Sequence, residues 1–307
     1  MDQLERQILP AAEFWVRKTL SALSGTRLVL NRRGELVPSE MKLFCFDCVD
    51  STMNVAKEFA RCGELEGHIP HIICLTENDS ISFKNACMIL AREQSSGRGR
   101  LQRSWHSQKD AGLYLTCLSS VSFGGISFAG FSLAVGVAIC RALSGLGVTA
   151  ALKWPNDIVI FDQTQRMLKL GGVLVETYSG NSSEERFVST GVGINIQTPQ
   201  GNTSLPATSL VDLGYDNISI SKLFAAVAEQ YWLMFAQYCE CGFTRFKDEW
   251  LSRSVLQGMV VRALAVDREV TGKVCGVADN GGLLLADENG LQTEFLCGDV
   301  TIRMIEA

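Results

Sequence analysis

Two apolar runs of strand length, Ala86 to Ala91 and Leu113 to Leu118, enclose Glu93-Gln-Ser-Ser-Gly-Arg-Gly-Arg-Leu-Gln-Arg-Ser-Trp-His-Ser107. The pattern predicts two strands joined by a basic loop. Gly97 and Gly99 give that loop backbone freedom and allow close approach to a ligand. Arg98, Arg100 and Arg103 supply planar, permanently charged donors suited to carboxylate or phosphate. Trp105 is placed to close the loop over an apolar body. The plainer alternative is a solvated basic surface loop. Three mutually repelling arginines also imply a loop that orders only when an anion arrives.

The loop stands against an acidic background: the 307 residues carry a formal net charge of -5, which excludes a general nucleic-acid binder but leaves room for one basic site. At 47% hydrophobic residues the chain can bury a sizeable core. Asp2 and Glu5 argue against a signal peptide, whereas Arg17, Lys18, Arg27, Arg32 and Arg33 keep an organellar leader open. The eleven cysteines, several inside apolar runs, fit reduced thiols, so the cytoplasm is expected first and an organelle such as the mitochondrion second. Ala111 to Cys140 holds no charge, but its Ser and Gly residues divide it into a strand and a buried helix of about 20 residues ending near Gly147, rather than a membrane span.

Taken in order, residues 1–40 carry apolar positions from Ile8 to Leu23 at helical spacing, without room for a three-helix DNA-reading module. Leu43 to Cys48 reads as a strand, after which Asp50-Ser51-Thr52 opens a helix with Val55, Ala56, Phe59, Ala60 and Cys62 on its apolar face. Ser51 and Thr52 either bind a polar ligand head or simply cap that helix. Cys45-x-x-Cys48 with His68 and His71 has the wrong spacing for zinc. In Ala151 to Phe161, Pro155 bends a strand and brings Lys153, Asn156 and Asp157 together, a set suited to a nucleotide phosphate and its magnesium ion. Lys169 lies in an apolar strand, where an unpaired ammonium is costly, and so is expected to face a ligand anion. On that argument Lys169→Met should keep the fold and even raise its thermal stability. Gly171 and Gly172 permit close approach there. Lys222 to about Arg253 reads as one long helical region, and short strands with turns at Asp279-Asn-Gly-Gly282 and Asp287-Glu-Asn-Gly290 follow Gly258.

Ser51-Thr52, Gln94, Gly97-Arg-Gly-Arg100 with Arg103 and Trp105, Lys153-Trp-Pro-Asn-Asp157, Lys169-x-Gly-Gly-x-Leu-Val-Glu176 and Gly191-x-Gly-x-Asn195 occur in that order. Together they resemble a biotin protein ligase of the holocarboxylase synthetase family, in a form without the DNA-binding module. The resemblance implies an α+β fold, a mixed β-sheet packed with helices of the class II synthetase-like kind, closed by a small SH3-like β-barrel. Its domains would be an N-terminal extension (1–40), a catalytic domain (41–255) and the barrel (256–307).

It implies activation of biotin with ATP and Mg2+ to biotinyl-5'-AMP, then transfer to one lysine of a carboxyl-carrier domain, with no zinc, flavin, DNA or membrane involved and a monomer or homodimer as the working unit. Carried across by position, Ser51, Thr52, Gln94, Gly97, Arg98, Gly99, Arg100, Trp105, Lys169, Gly171 and Gly172 would meet biotin. Arg100, Arg103, Lys153, Asn156, Asp157 and Asn195 would meet the nucleotide, and Asp157 the metal. Lys169, Arg98 and Arg100 would be catalytic. Met53, Gln102 and Gln108 depart from the family pattern, with an asparagine displaced to Asn54. The rival readings are a lipoate or octanoate ligase of the same fold and a non-catalytic biotin sensor.

Overall fold

The computed structural model describes residues 30–31, 35–36, 41–62, 71–75, 86–122, 127–179, 185–199, 206–265, 269–296 and 300–304. The helix expected between Ile8 and Leu23, and His68, lie outside these. Two short strands, β1 (Leu30–Asn31) and β2 (Glu35–Leu36), pair antiparallel.

The alternating and continuous apolar runs become strands of one mixed sheet. β3 (Met41–Val49), β4 (His71–Leu75), β5 (Cys87–Gln94), β6 (Gly112–Ser122), β7 (Ala151–Lys153), β8 (Asp157–Phe161), β9 (Met167–Ser179) and β10 (Glu185–Asn195) run in the order β4-β3-β5-β6-β10-β9-β8-β7. Only β3 and β5 pair in parallel; the other neighbours are antiparallel. Leu43, Cys45, Met88 and Leu90 face one core, and Phe44, Phe46, Cys87, Ile89 and Ala91 the other. Such runs, buried on both faces, demand a cover on each.

On one face α1 (Thr52–Cys62) supplies Val55, Ala56, Phe59 and Ala60, while Cys62 is exposed. On the other lie α2 (Phe131–Gly145) and α3 (Ile220–Cys241), with α4 (Thr244–Arg253) packed beyond them. The charge-free segment therefore forms β6 and a 15-residue buried helix. Among the described residues no helix is long and apolar enough to cross a membrane. The long helical region from Lys222 to Arg253 is made of two helices, because Gly242 at φ 65° ends α3.

The expected bend at Pro155 is a full reversal. β7 and β8 form a hairpin with Lys153 opposite Asp157, and the Trp154–Pro155 peptide is cis. The last five strands, β11 (Val260–Leu264), β12 (Glu269–Val277), β13 (Leu283–Ala286), β14 (Gln292–Phe295) and β15 (Thr301–Met304), make an antiparallel sheet in the order β14-β13-β12-β11-β15, compatible with the expected small SH3-like barrel. Its inward residues Val261, Ala263, Val274, Leu285 and Ile302 join the larger core.

Candidate functional site

A cavity of about 850 Å³ runs from the N-terminus of α1 across β10 and β9 to the β7–β8 hairpin, roofed by the basic loop. At the α1 end the polar groups are locked to one another. Gln94 Oε1 accepts from Thr52 N (2.9 Å) and Thr52 Oγ1 (3.1 Å), Gln94 Nε2 donates to Ser107 Oγ (2.7 Å), and Thr116 Oγ1 donates to Thr52 Oγ1 (2.8 Å). Ser51 Oγ accepts from Met53 N (3.3 Å), which is the capping role. Ser51 thus caps the helix, and both Ser51 and Thr52 line the cavity. A side chain fixed this firmly presents its remaining hydrogen-bonding capacity in one direction, which suits a small rigid polar head.

The middle of the floor is made flat by glycine. A Cβ on Gly193 would fall 2.5 Å from Trp105 Cε2, and one on Gly172 would fall 3.5 Å from Trp105 Cζ3. The Trp105 indole, with its buried Nε1 unpartnered, lies over both. Gly191 abuts Met53, whose Sδ accepts from Ser189 Oγ (3.4 Å).

At the far end the cations gather around one carboxylate. Lys169 is ion-paired with Asp157, their side chains 17% and 12% exposed, and Lys169 Nζ stands 5.5 Å from the Trp105 ring centroid. The fold supplies a carboxylate of its own to the ammonium that an apolar strand makes costly to bury, on the face where a ligand anion is expected. A β-bulge makes the meeting possible. The register slips where Ile158 faces Gly171 and Val159 faces Lys169, so Lys169 and Gly172 share the cavity face while Leu170 and Val173 enter the core. Lys153, 8% exposed, has its ammonium pKa held below the usual lysine range, chiefly by burial, with Asp157 opposing the shift and Lys169 and Arg103 adding to it.

Within the loop's surroundings the protein supplies partners for its arginines and its backbone. Arg98 forms an ion pair with Glu176, donating to Oε2 at 3.2 Å, and also donates to Asn54 Oδ1 (3.1 Å). Tyr178 donates to Glu176, and burial followed by that carboxylate pushes the phenol pKa up. Trp105 N donates to Gly97 O (2.8 Å) and Gly99 N to Arg103 O (2.7 Å). Arg100 donates to Asn156 Oδ1 (3.4 Å) and Arg103 to Thr301 Oγ1 (3.5 Å). Leu101 and Gln102 both adopt positive φ, a conformation that residues with a side chain seldom take.

Of the expected residues, Ser51, Thr52, Gln94, Arg98, Gly99, Arg100, Arg103, Trp105, Lys153, Asn156, Asp157, Lys169 and Gly172 line the cavity. Gly97, Gly171 and Asn195 do not. A Cβ on Gly97 would strike Trp105 O at 2.3 Å and one on Gly171 would strike Gly193 O at 2.6 Å, so both serve chain packing. Asn195 is 6% exposed and donates to Thr208 O (2.9 Å). Sequence reasoning missed Met53, Tyr114 and Val300 to Arg303 as lining residues. No local pattern marks a barrel strand as part of a site 130 residues upstream, whereas Glu176 lay inside a recognised motif without a role.

The sequence model of the Biotin/lipoate A/B protein ligase family matches residues 71–195, the span that carries the basic loop, the hairpin and Lys169. The chain is 29% identical over 219 residues to the biotin--[acetyl-CoA-carboxylase] ligase of Paracoccus denitrificans, covering 68% of this chain and 88% of the relative. It is 26% identical over 286 residues to the bifunctional ligase/repressor BirA of Bacillus spizizenii, covering 87% and 79%. Its fold superposes on the biotin protein ligase of Aquifex aeolicus in complex with biotin and ATP with a TM-score of 0.63 at 25% identity, covering 86% of this chain and 99% of that one.

Proposed function

We propose that this protein joins biotin to ATP as biotinyl-5'-AMP and passes the biotinyl group to a lysine of a carboxyl-carrier domain. The observation that carries the reading is a single cavity with a fixed hydroxyl–amide end, a glycine floor, and an end where Lys153, Lys169, Arg100 and Arg103 surround the lone carboxylate of Asp157. The biotin head fits against Thr52 and Gln94, its apolar body beside Trp105, and its carboxylate at Lys169.

In the first step a biotin carboxylate oxygen attacks the α-phosphorus, forming the acyl–phosphate bond and expelling pyrophosphate. Lys169 steadies the carboxylate and the charge that grows on the phosphate oxygens. In the second, the acceptor amine attacks the carbonyl, the C–N bond forms, the C–O bond breaks, and AMP departs; the amine proton is lost to solvent. The cations that surround Asp157 replace the hydration of the phosphates.

Among the described residues no group of three His, Cys, Asp or Glu gathers to hold a metal, and the carboxylate of Asp157 is paired with Lys169. Asp157 is the carboxylate that would meet a magnesium ion carried by the triphosphate, since that ion commonly takes one or two carboxylates beside phosphate oxygens and water. The ion enters with the triphosphate as part of the substrate. The nine cysteines described are all free, which supports a reducing compartment and hence the cytoplasm.

Incubation with biotin, MgATP and an apo carboxyl-carrier domain, followed by a streptavidin blot, tests the reading. A labelled acceptor is expected. An unlabelled acceptor, or equal modification with lipoate in a parallel arm, overturns it.

A further inference from the structure

Trp154 borders the cavity together with Lys153, Asn156 and Asp157, yet its one polar side-chain atom bonds outside it. The side chain is fully buried, and its Nε1 donates to Gly281 O at 3.0 Å, in the turn between β12 and β13 of the C-terminal sheet. That turn is a tight fit. Gly281 sits at φ 80°, and a Cβ there would fall 2.5 Å from Gly130 Cα, itself at φ 76° under Phe243 at the start of α2. The turn is braced internally by Gly281 N to Ala278 O, Ala278 N to Gly282 O, and Gly282 N to Asn280 Oδ1, and externally by the ion pair of Lys247 with Asp279. Within the same sheet, β15 brings Val300 to Arg303 to the cavity wall and accepts Arg103 at Thr301.

A rigid sheet docked at one turn carries its opposite strand with it, because hydrogen-bonded strands move as a unit while a packed interface has discrete seats. The turn holding Gly281 joins β12 to β13, and β15 is fixed to β12 through β11. We infer that Trp154 is a positioning residue: through Gly281 it sets where β15 stands, and so sets the affinity of the cation-rich end of the cavity for the triphosphate. The inference rests on the reading of that end as the nucleotide end. It predicts that loosening the dock weakens ATP and leaves biotin, held at the α1 end, unaffected.

The test is biotin-dependent exchange of pyrophosphate into ATP by the full chain, with ATP varied, beside calorimetric titration of biotin alone. Trp154→Phe retains a buried aromatic ring but deletes the donor to Gly281, and should raise KM for ATP about tenfold, the scale of one lost buried hydrogen bond at the dock. Its kcat at saturating ATP should remain within about threefold and its biotin Kd within about twofold, as differences below ~0.7 kcal/mol. Gly281→Ala, outside the cavity, perturbs the same contact from the other side and should reproduce the KM rise; it also decides the matter should Trp154→Phe fail to fold. An unchanged KM for ATP in either folded variant, or a parallel loss of biotin affinity, overturns the coupling. A wild-type chain with no exchange activity overturns the proposed function instead, and the coupling with it.

Discussion

Replacing Lys169 with Met removes the partner of a nearly buried carboxylate. Asp157 is 12% exposed at its side chain and is held in β8 opposite Gly172, so it has little freedom to turn toward water. Breaking a buried ion pair from one side costs about 3–5 kcal/mol when the site is dry. The pair here borders a cavity of about 850 Å³, which lets water reach what remains. A loss of about 2 kcal/mol follows, or roughly 3 °C in Tm for a chain of this size. This reverses the sequence expectation that Met would be neutral or stabilising. Asp157→Asn alone should cost a similar amount by stranding Lys169. Combined with Lys169→Met it should recover most of the loss, since neither charge is then orphaned. Activity should not follow stability: pyrophosphate exchange falls about 10²-fold in Lys169→Met and stays low in the double variant. Differential scanning calorimetry and the exchange assay on all four proteins form the complete cycle. A single variant as stable as the parent refutes the structural half of the reasoning. Exchange within a few-fold of the parent in folded Lys169→Met refutes the catalytic half.

Two further expectations follow. Lys153 has a pKa lowered by burial, so below that lowered value the fold carries a desolvated charge. As pH rises from there toward about 10.5 the unfolded chain binds more protons and stability recovers. Lys153→Met should therefore be more stable than the parent at pH 7 with a difference that shrinks toward pH 10, and should bind ATP about tenfold more weakly; thermal melts across pH and nucleotide titration check both. Glu176→Gln removes the ion pair that anchors Arg98, whose side chains are 37% and 25% exposed, so a contribution of about 0.5–1 kcal/mol is lost and tryptic cleavage after Arg98 should quicken roughly twofold to fivefold, with no change if the loop is held by other means.

Much of the arrangement was legible because it follows from local rules. Apolar runs bounded by glycine and polar residues gave β5, β6, β9 and β10, since strands buried on both faces need continuous hydrophobicity. The basic loop announced a site for anions because three fixed cations in an acidic chain have no local reason to cluster. An ammonium in an apolar strand likewise demanded an opposite charge.

Which charge answered it was a tertiary matter. Asp157 meets Lys169 only because the chain reverses at Pro155 and because a bulge in β9 turns Lys169 onto the face of Gly172, a departure from the period of two that no residue type signals. For the same reason Gly171 and Gly172, adjacent and chemically identical, separate into packing and cavity floor. Arg98 finds Glu176 across 78 positions of chain, and Arg303 reaches the cavity from the last strand. The sequence by itself determined that certain charges and flat strands had to be accommodated. Only the tertiary structure decided their partners, because electrostatic pairing and packing depend on distance in space, and the chain sets that distance through its turns and its slips of register.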